Sequence, residues 1–244
     1  MSRLHREVEA RFRRIAPSTW WGDHLDVRFE LIHRVRQLRG LRVLDVATGE
    51  GVILAEVPPS CFRVGVDLNP AFARRALANA PGARVAVGNM HALPFTDRSF
   101  DVVIFAHAIE VTPDWASAVR EVCRVLRPGG RLWLTTPNRA HPRYRRAQKL
   151  DLADLEGLFG AGLDPRIAGY NPLLWLTRAR GARALSRLPG IDRLLRGLMW
   201  LPVRLVSPFV MSFFVEAERR ADGNAIPPAR RTAEAGLTRV TGGR

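Results

Sequence analysis

A glycine-containing turn follows the first strongly apolar segment of the chain and has an acid beside it. Residues 41–46 have the composition of a buried strand, and Asp45 lies within that segment. Gly49 and Gly51 follow, and glycine allows the sharp bend that a close approach to a ligand requires. A turn between a strand and a helix exposes backbone N–H groups that bind carboxylates or phosphates. The segment therefore predicts a ligand-binding loop, although nicotinamide and flavin enzymes use similar turns.

Three later segments indicate which ligand the loop binds. Asp67 ends the short apolar stretch 64–66, and a carboxylate at that position can accept hydrogen bonds from both hydroxyls of a ribose. The segment 88–95 contains Asn89 and ends in Leu-Pro-Phe. The segment 124–134 contains Leu-Arg-Pro-Gly-Gly, which is foreign to the dinucleotide-binding enzymes. A nicotinamide dehydrogenase is therefore disfavoured.

In order and spacing, the four segments resemble the motif set of the class I S-adenosylmethionine-dependent methyltransferases. The resemblance covers residues 40–138 and is closest to the methyltransferase type 11-like branch, which methylates quinones, lipids and other small molecules. It implies S-adenosyl-L-methionine as cofactor and S-adenosyl-L-homocysteine as product. The positions that match the family's cofactor-binding motifs are Asp45, Ala47, Gly49, Glu50, Gly51, Asp67, Leu68, Asn89, Met90 and Ala106.

The resemblance assigns each part of the cofactor to a segment. The glycine turn would approach the methionine moiety, with Asp45 orienting the turn and the ammonium group, and with Glu50 as a further contact. Ala47 stands where the family usually has its first glycine, and its methyl group restricts positive φ. We interpret this as a slightly altered loop that still binds the cofactor.

The remaining positions would hold the nucleoside. Asp67 matches the ribose-binding acid; a helix N-cap before Pro70 is the competing interpretation, for which Asn69 is better placed. Leu68 and Met90 would flank the adenine. Asn89 would hydrogen-bond the adenine amino group, because its carbonyl can still accept where many relatives have Asp. Ala106 would form the floor beneath the ribose and sulfonium.

Sequence identifies the catalyst less well than the cofactor. His107 follows the fourth predicted strand and is the best candidate general base for a phenol, enol or hydroxyl acceptor. A histidine at a helix start that does not contact the acceptor is the competing interpretation. Glu110, three residues later, could orient His107. His91 and His24 are weaker candidates, and no metal site is predicted.

Strands that alternate with helices predict an α/β fold with a parallel sheet and helices on both faces. The resemblance implies that this is the family's Rossmann-like seven-stranded mostly parallel sheet, with an antiparallel last strand and here a helical insertion before it. The expected strands are 41–47, 63–67, 83–87, 101–106, 130–136, 164–170 and 211–218. The expected helices are 3–16, 26–38, one from about residue 50, 70–79, 114–126 and 152–159. Leu126 to Gly130 is expected to end a helix and turn into the fifth strand.

Three regions are predicted. Residues 1–39 would form an N-terminal helical cap. Residues 40–218 would form the methyltransferase domain, with an insertion at 171–207 whose apolar spacing indicates a substrate lid, a membrane helix or a structural cap. Residues 219–244 have the composition of a disordered basic tail.

The net charge is +15, and 37 of the 38 cationic side chains are arginine. Such arginine content is typical of a GC-rich genome, but it also suits an anionic partner such as nucleic acid or a membrane. Cys61 and Cys123 are expected to be reduced core residues. The first residues contain no apolar signal core, so a cytoplasmic protein is expected, with peripheral membrane contact through 171–207 as an option.

The expected activity is methyl transfer to a small hydrophobic acceptor that is lipid-like, prenylated or polycyclic. An RNA methyltransferase that uses the basic surface is one alternative. It is disfavoured because residues 106–110 lack the Asn/Asp-Pro-Pro-aromatic segment of enzymes that methylate exocyclic amines. A non-catalytic methyltransferase-like partner protein is the other alternative. The acceptor atom and the oligomeric state stay open.

Overall fold

The computed structural model describes residues 27–112, 114–140, 150–159, 162–170, 202–207 and 210–221. The strands are β1 (Arg42–Val46), β2 (Phe62–Asp67), β3 (Arg84–Val87), β4 (Phe100–Ala106), β5 (Leu126–Pro137), β6 (Leu163–Tyr170) and β7 (Ser212–Arg219). The helices are α1 (Val27–Val35), α2 (Pro70–Asn79), α3 (Trp115–Val125), α4 (Leu152–Leu158) and α5 (Val203–Val206). Two short 3₁₀ turns lie at Leu54–Glu56 and Ile109–Val111.

The seven strands form one sheet in the order β3-β2-β1-β4-β5-β7-β6. β7 runs antiparallel to both β5 and β6, and the pairs among β1 to β5 are parallel. This confirms the predicted Rossmann-like sheet with an antiparallel last strand. The strand order reverses between β1 and β4, and the crevice at such a reversal is where doubly wound sheets bind ligands.

Both faces of the central strands are buried, which explains their continuous apolar sequence. Alternate residues point to opposite faces, so Val103 and Phe105 of β4 join the core under α3, whereas Val102 and Ile104 join the core under α1. Phe105 and Ile104 are both fully buried. The central strands are thereby fixed in register, and the residues that follow their carboxyl ends are fixed with them.

The structure corrects the predicted helix from about residue 50. Residues 50–53 form turns, and only the 3₁₀ turn Leu54–Glu56 follows them. Six residues separate Gly51 from Pro58, which is too short a stretch for a stable helix, and proline cannot continue one.

The start of β5 also differs from the prediction. Leu126 pairs with Phe100 of β4, and the register then shifts between Phe100 and Val102. Gly129 has a φ of 72° within this irregular stretch. Leu126 to Gly130 is therefore an irregular first part of β5 directly after α3, and not a separate turn.

Several predicted elements lie outside the described residues. They are the helix at 3–16, most of the insertion at 171–207 and the tail beyond residue 221. The predicted region boundaries stay predictions. Among the described residues, no helix is long and apolar enough to cross a membrane. Within the same residues, no group of three or more histidine, cysteine or acidic side chains is arranged to hold a metal ion.

Candidate active site

A cavity of about 550 Å³ opens at the carboxyl edge of the sheet, where the strand order reverses. The segments that follow β1, β2, β3 and β4 all contribute to its wall. The lining residues that sequence reasoning had proposed are Ala47, Gly49, Asp67, Leu68, Asn89, Met90 and His107. The fold thus brings together side chains that are 60 residues apart in sequence.

The turn after β1 is held in left-handed backbone conformations. Ala47, Gly49 and Gly51 have φ values of 53°, 56° and 75°. Gly51 also packs against α2, because an added Cβ would lie 2.7 Å from Cα of Ala76. Ala47 has a left-handed backbone conformation, which glycine adopts without strain. The turn therefore keeps its geometry, but alanine at this position strains the backbone.

Asp67 ties the first turn to the second. Its Oδ2 accepts a hydrogen bond from the backbone N–H of Gly49 at 2.8 Å, and its Oδ1 accepts one from Asn69 at 2.9 Å. A carboxylate has about four acceptor sites, so each oxygen can still accept a ribose hydroxyl. Asn69 caps α2 by accepting from the N–H of Ala71 at 2.9 Å, which confirms the sequence-based preference for Asn69 over Asp67 as the cap.

Asp45 lies beneath the turn and not on the cavity wall. It is 2% exposed, and this burial raises its pKa to about 7, with a smaller contribution from the nearby charge of Asp67. Thr48 donates its hydroxyl to Oδ2 of Asp45 at 2.6 Å, which opposes the rise in pKa. Asp45 therefore orients the turn from below through Thr48.

Glu50 points to α2. Its Oε1 lies 2.5 Å from Nη1 of Arg75, and its backbone carbonyl accepts from Nδ2 of Asn79 at 2.8 Å. The side chain is therefore not part of the cavity wall, and neither are Gly51 and Ala106. These three residues support the wall from outside, and their direct contact with a cofactor stays a prediction.

The segment after β3 forms the opposite wall. Asn89 accepts the backbone N–H of His91 at 3.0 Å through Oδ1, which fixes the turn that carries Met90. Met90 packs against the core, whereas Leu68 across the cavity is 68% exposed. An apolar slot between Leu68 and Met90 suits a flat aromatic ring.

His107 lies on the cavity wall with a φ of 50° and donates its backbone N–H to Thr135 at 2.8 Å. Its Nδ1 lies 3.7 Å from Oε1 of Glu110. Thr136 donates its hydroxyl to the other Glu110 oxygen at 3.3 Å. The structure thus places Glu110 beside His107, as the three-residue spacing suggested. His24 lies outside the described residues.

Eight lining residues escaped the sequence analysis as site residues or were undervalued by it, and four of them, Phe72, His91, Val111 and Thr112, have side chains that shape the cavity. Phe72 lies in the first turn of α2, and Val111 and Thr112 follow β4. His91 hydrogen-bonds Oγ1 of Thr112 through Nε2 at 2.8 Å, which joins the segment after β3 to the segment after β4. The sequence could have indicated Phe72, because a large aromatic side chain stands beside arginines in the predicted helix 70–79. No sequence feature around Thr112 marks it as a cavity residue.

The electrostatic character of the cavity contrasts with that of the whole chain. Among the described residues that line it, none is arginine or lysine, and Asp67 is the one acid. S-adenosylmethionine carries a sulfonium and an ammonium, so a wall without cations and with a carboxylate fits it. The donor set, the apolar slot and the charge all agree with this cofactor.

The comparisons with known proteins agree with the site. A family model described as methyltransferase domain matches residues 44–134. A probable S-adenosylmethionine-dependent methyltransferase of Mycolicibacterium smegmatis is 37% identical in an alignment 205 residues long that covers 72% of this chain and 76% of that protein. The ubiquinone/menaquinone biosynthesis C-methyltransferase of Geobacter sulfurreducens is 39% identical in an alignment 107 residues long that covers 40% of this chain. The chain spans only 42% of that protein's length.

The YcgJ protein of Bacillus subtilis has a similar fold, with a TM-score of 0.54 at 19% sequence identity. The match covers 79% of this chain and 97% of that one. The sheet and this likeness therefore define a Rossmann-like fold. The sequence matches assign the family: the chain belongs to the S-adenosylmethionine-dependent methyltransferases.

Proposed function

We propose that the protein transfers a methyl group from S-adenosyl-L-methionine to a small hydrophobic acceptor. The observation that carries this proposal is the cavity at the carboxyl edge of the sheet. The turn at Ala47 and Gly49, Asp67 and His107 all line this one cavity. The cofactor, when bound, supplies a methyl carbon that its sulfonium has already activated.

Alignment and exclusion of water are the main tasks left to the protein. Asp67 would fix the ribose, because its oxygens are held by the backbone N–H groups of Gly49 and Asn69 and keep further acceptor sites. Leu68 and Met90 would flank the adenine, and Asn89 would hydrogen-bond its amino group. Ala47 and Gly49 would lie beside the methionine moiety. This arrangement would leave the side of the cavity near His107 for the acceptor.

His107 would act as the general base when the acceptor is a phenol, an enol or a hydroxyl. The imidazole would take the proton that the acceptor oxygen or carbon loses as the methyl group is transferred. Glu110 would steady the ring, since its carboxylate lies 3.7 Å from Nδ1 and is held by Thr136. An acceptor that is already nucleophilic would need no base.

The apolar wall supports a hydrophobic acceptor. Beyond Leu68 and Met90, which are assigned to the adenine, Phe72 and Val111 contribute apolar surface to the cavity. The name of the Geobacter relative, a ubiquinone/menaquinone biosynthesis C-methyltransferase, is consistent with a prenylated or quinone-like acceptor. RNA is less well supported, because phosphates are bound by arginine and lysine, and the described lining contains neither.

The experiment that tests this function follows a methyl label. The protein is incubated with S-adenosyl-L-methionine labelled at the methyl group and, separately, with a lipid and quinone extract or with total RNA. We expect label in the organic-soluble fraction, and we expect a His107→Ala variant to lose at least about tenfold of the rate. Label in RNA would overturn the acceptor class. Cofactor binding without any transfer would favour the non-catalytic alternative.

A further inference from the structure

Some polar residues that line the cavity have no part in the proposed cofactor contacts, namely Asn69, His91, His107 and Thr112. Asn69 caps α2 and His107 is the proposed base, which leaves His91 and Thr112 without a role. In a cavity with a mostly apolar wall, the few polar groups determine which ligand binds and in which orientation. These two side chains therefore bear on the identity of the acceptor.

Thr112 directly follows the 3₁₀ turn Ile109–Val111 and is 7% exposed. Its Oγ1 accepts the backbone N–H of Asp114 at 3.2 Å and lies 2.8 Å from Nε2 of His91. A hydroxyl has two lone pairs and one hydrogen. The direction of the contact with His91 therefore decides whether the hydroxyl hydrogen is used within the protein or is left for a ligand.

The other ring nitrogen of His91 determines that direction. Nδ1 is buried and has no hydrogen-bond partner among the described residues. A neutral imidazole carries its proton on one nitrogen only. If Thr112 donated to Nε2, the proton would lie on Nδ1 and form a buried N–H without an acceptor, which is rarer in proteins than an acceptor without a donor. Nε2 therefore carries the proton and donates it to Thr112.

The hydroxyl hydrogen of Thr112 is thereby left for a ligand. Oγ1 uses both lone pairs, one for Nε2 of His91 and one for the N–H of Asp114. Within the described part of the chain, no group accepts the hydrogen of this hydroxyl, and Thr112 lines the cavity together with Ala108 and Val111. A donor fixed in an apolar wall discriminates strongly against a ligand that cannot accept its hydrogen bond.

We propose that Thr112 donates a hydrogen bond to an oxygen atom of the methyl acceptor, and that His91 is the positioning residue that orients the hydroxyl. The acceptor is then a hydrophobic molecule that carries a carbonyl, enolate or phenolate oxygen. This inference rests on the proposed function, because it concerns the molecule that receives the methyl group. His91 does not act as a base, since its Nε2 is already protonated and its Nδ1 is buried.

The test measures whether the full-length protein prefers a carbonyl compound to a hydrocarbon of the same shape. The probes α-tetralone and tetralin are titrated separately, by ligand-observed NMR, into protein saturated with S-adenosyl-L-homocysteine. Thr112→Val removes the hydroxyl at nearly constant volume, and Thr112→Ser retains it. Thr96→Val removes a hydroxyl that does not line the cavity. Titration of S-adenosyl-L-homocysteine into each protein reports whether its cofactor site is intact.

We expect the wild type, Thr112→Ser and Thr96→Val to bind α-tetralone at least about fivefold more tightly than tetralin, and Thr112→Val to bind the two within about twofold. Equal binding of the two probes by the wild type, or an unchanged preference in Thr112→Val, would overturn the inference. Binding of S-adenosyl-L-homocysteine in either case leaves the proposed function standing, whereas its absence in the wild type removes both.

The tautomer of His91 provides a second test that needs no acceptor. Nitrogen NMR of protein with isotope-labelled histidine is recorded at about pH 8, above the ordinary titration range of histidine. The signals of the His91 ring are those lost in His91→Gln. We expect a protonated Nε2 and an unprotonated Nδ1. A protonated Nδ1 would refute the inference, because Thr112 would then donate to the ring and not to a ligand.

Discussion

The carboxylate of Asp67, at the end of β2, holds the backbone N–H of Gly49, in the turn after β1, at 2.8 Å. The same carboxylate holds the N–H of Asn69 through its other oxygen. Two neighbouring strand ends are thus joined by one side chain before any ligand is considered. The residue proposed to bind the ribose is also the residue that sets the shape of the turn.

Asp67→Ala is therefore expected to weaken the fold as well as the site. Two backbone N–H groups lose their acceptor, and a loss of about 1–3 kcal/mol in the free energy of unfolding is expected. Asp67→Asn retains one carbonyl acceptor and should lose less. Urea titration of both variants measures this difference, and equal stability of Asp67→Ala and wild type would show that the two hydrogen bonds contribute nothing.

Ala47→Gly is expected to stabilise the protein by roughly 1 kcal/mol, because it relieves a non-glycine residue at a φ of 53°. Arg98 provides a matched control, since it has the same φ of 53° and does not line the cavity. Arg98→Gly should give a similar gain in urea unfolding and no change in S-adenosyl-L-homocysteine affinity. A change in affinity confined to Ala47→Gly would support the assignment of this turn. Destabilisation by both variants would contradict the claim that positive φ strains the backbone at these two positions.

The two glycines of the turn should respond differently to alanine. At Gly51 an added Cβ meets the backbone of Ala76 at 2.7 Å, whereas at Gly49 no atom lies within 4 Å. Both have positive φ, so both variants pay the left-handed cost of about 1–2 kcal/mol. Gly51→Ala should lose about 1–3 kcal/mol more, because α2 must move. Thermal unfolding of Gly49→Ala and Gly51→Ala measures this difference in stability. Equal destabilisation of the two variants would contradict the close packing of Gly51 against α2.

Burial of Asp45 predicts a pH dependence of stability. Its pKa is raised from 3.8 to about 7, so the folded state binds the proton more tightly than the unfolded state. The contribution of Asp45 to the free energy of unfolding should therefore be largest at low pH. It should fall as the pH rises through this range, by at most about 4 kcal/mol, and level off above it.

Asp45→Asn removes this titration and keeps an acceptor for Thr48. The variant should thus gain stability relative to wild type as the pH is raised from 5 to 8 in urea unfolding. Other groups titrate equally in both proteins and cancel in the difference. Profiles that stay parallel over this pH range would contradict a raised pKa.

The sequence predicted those parts of the fold that have local signatures. Asn69-Pro70 marks a capped helix start, and α2 begins and ends where the pattern placed it. The alternation of apolar segments predicted the parallel strands of the core, whereas the antiparallel direction of β7 was implied by the family resemblance. The prediction of a helix from about residue 50 was wrong. The packing of Gly51 against α2 and the proline at position 58 outweigh the apolar spacing of the residues between them.

Side-chain direction within the turn could not be read from the sequence. Glu50 follows Gly49, which lines the cavity, yet its side chain pairs with Arg75 on α2. The roles of Phe72 and Val111 likewise follow from which elements meet at the strand ends. Motif position identifies which segment contributes to a site, whereas the direction of each side chain depends on the packing around it.

Titration of S-adenosyl-L-homocysteine, followed by calorimetry, tests the central claim most directly. The account predicts one site per chain in the wild type and a loss of at least about tenfold in affinity for Asp67→Asn, at a temperature where both are folded. Asp164→Asn, at a carboxylate on β6 beside Arg220, should bind like wild type. Absence of binding in the wild type, or equal affinity of Asp67→Asn and wild type, would contradict the assignment of the cavity.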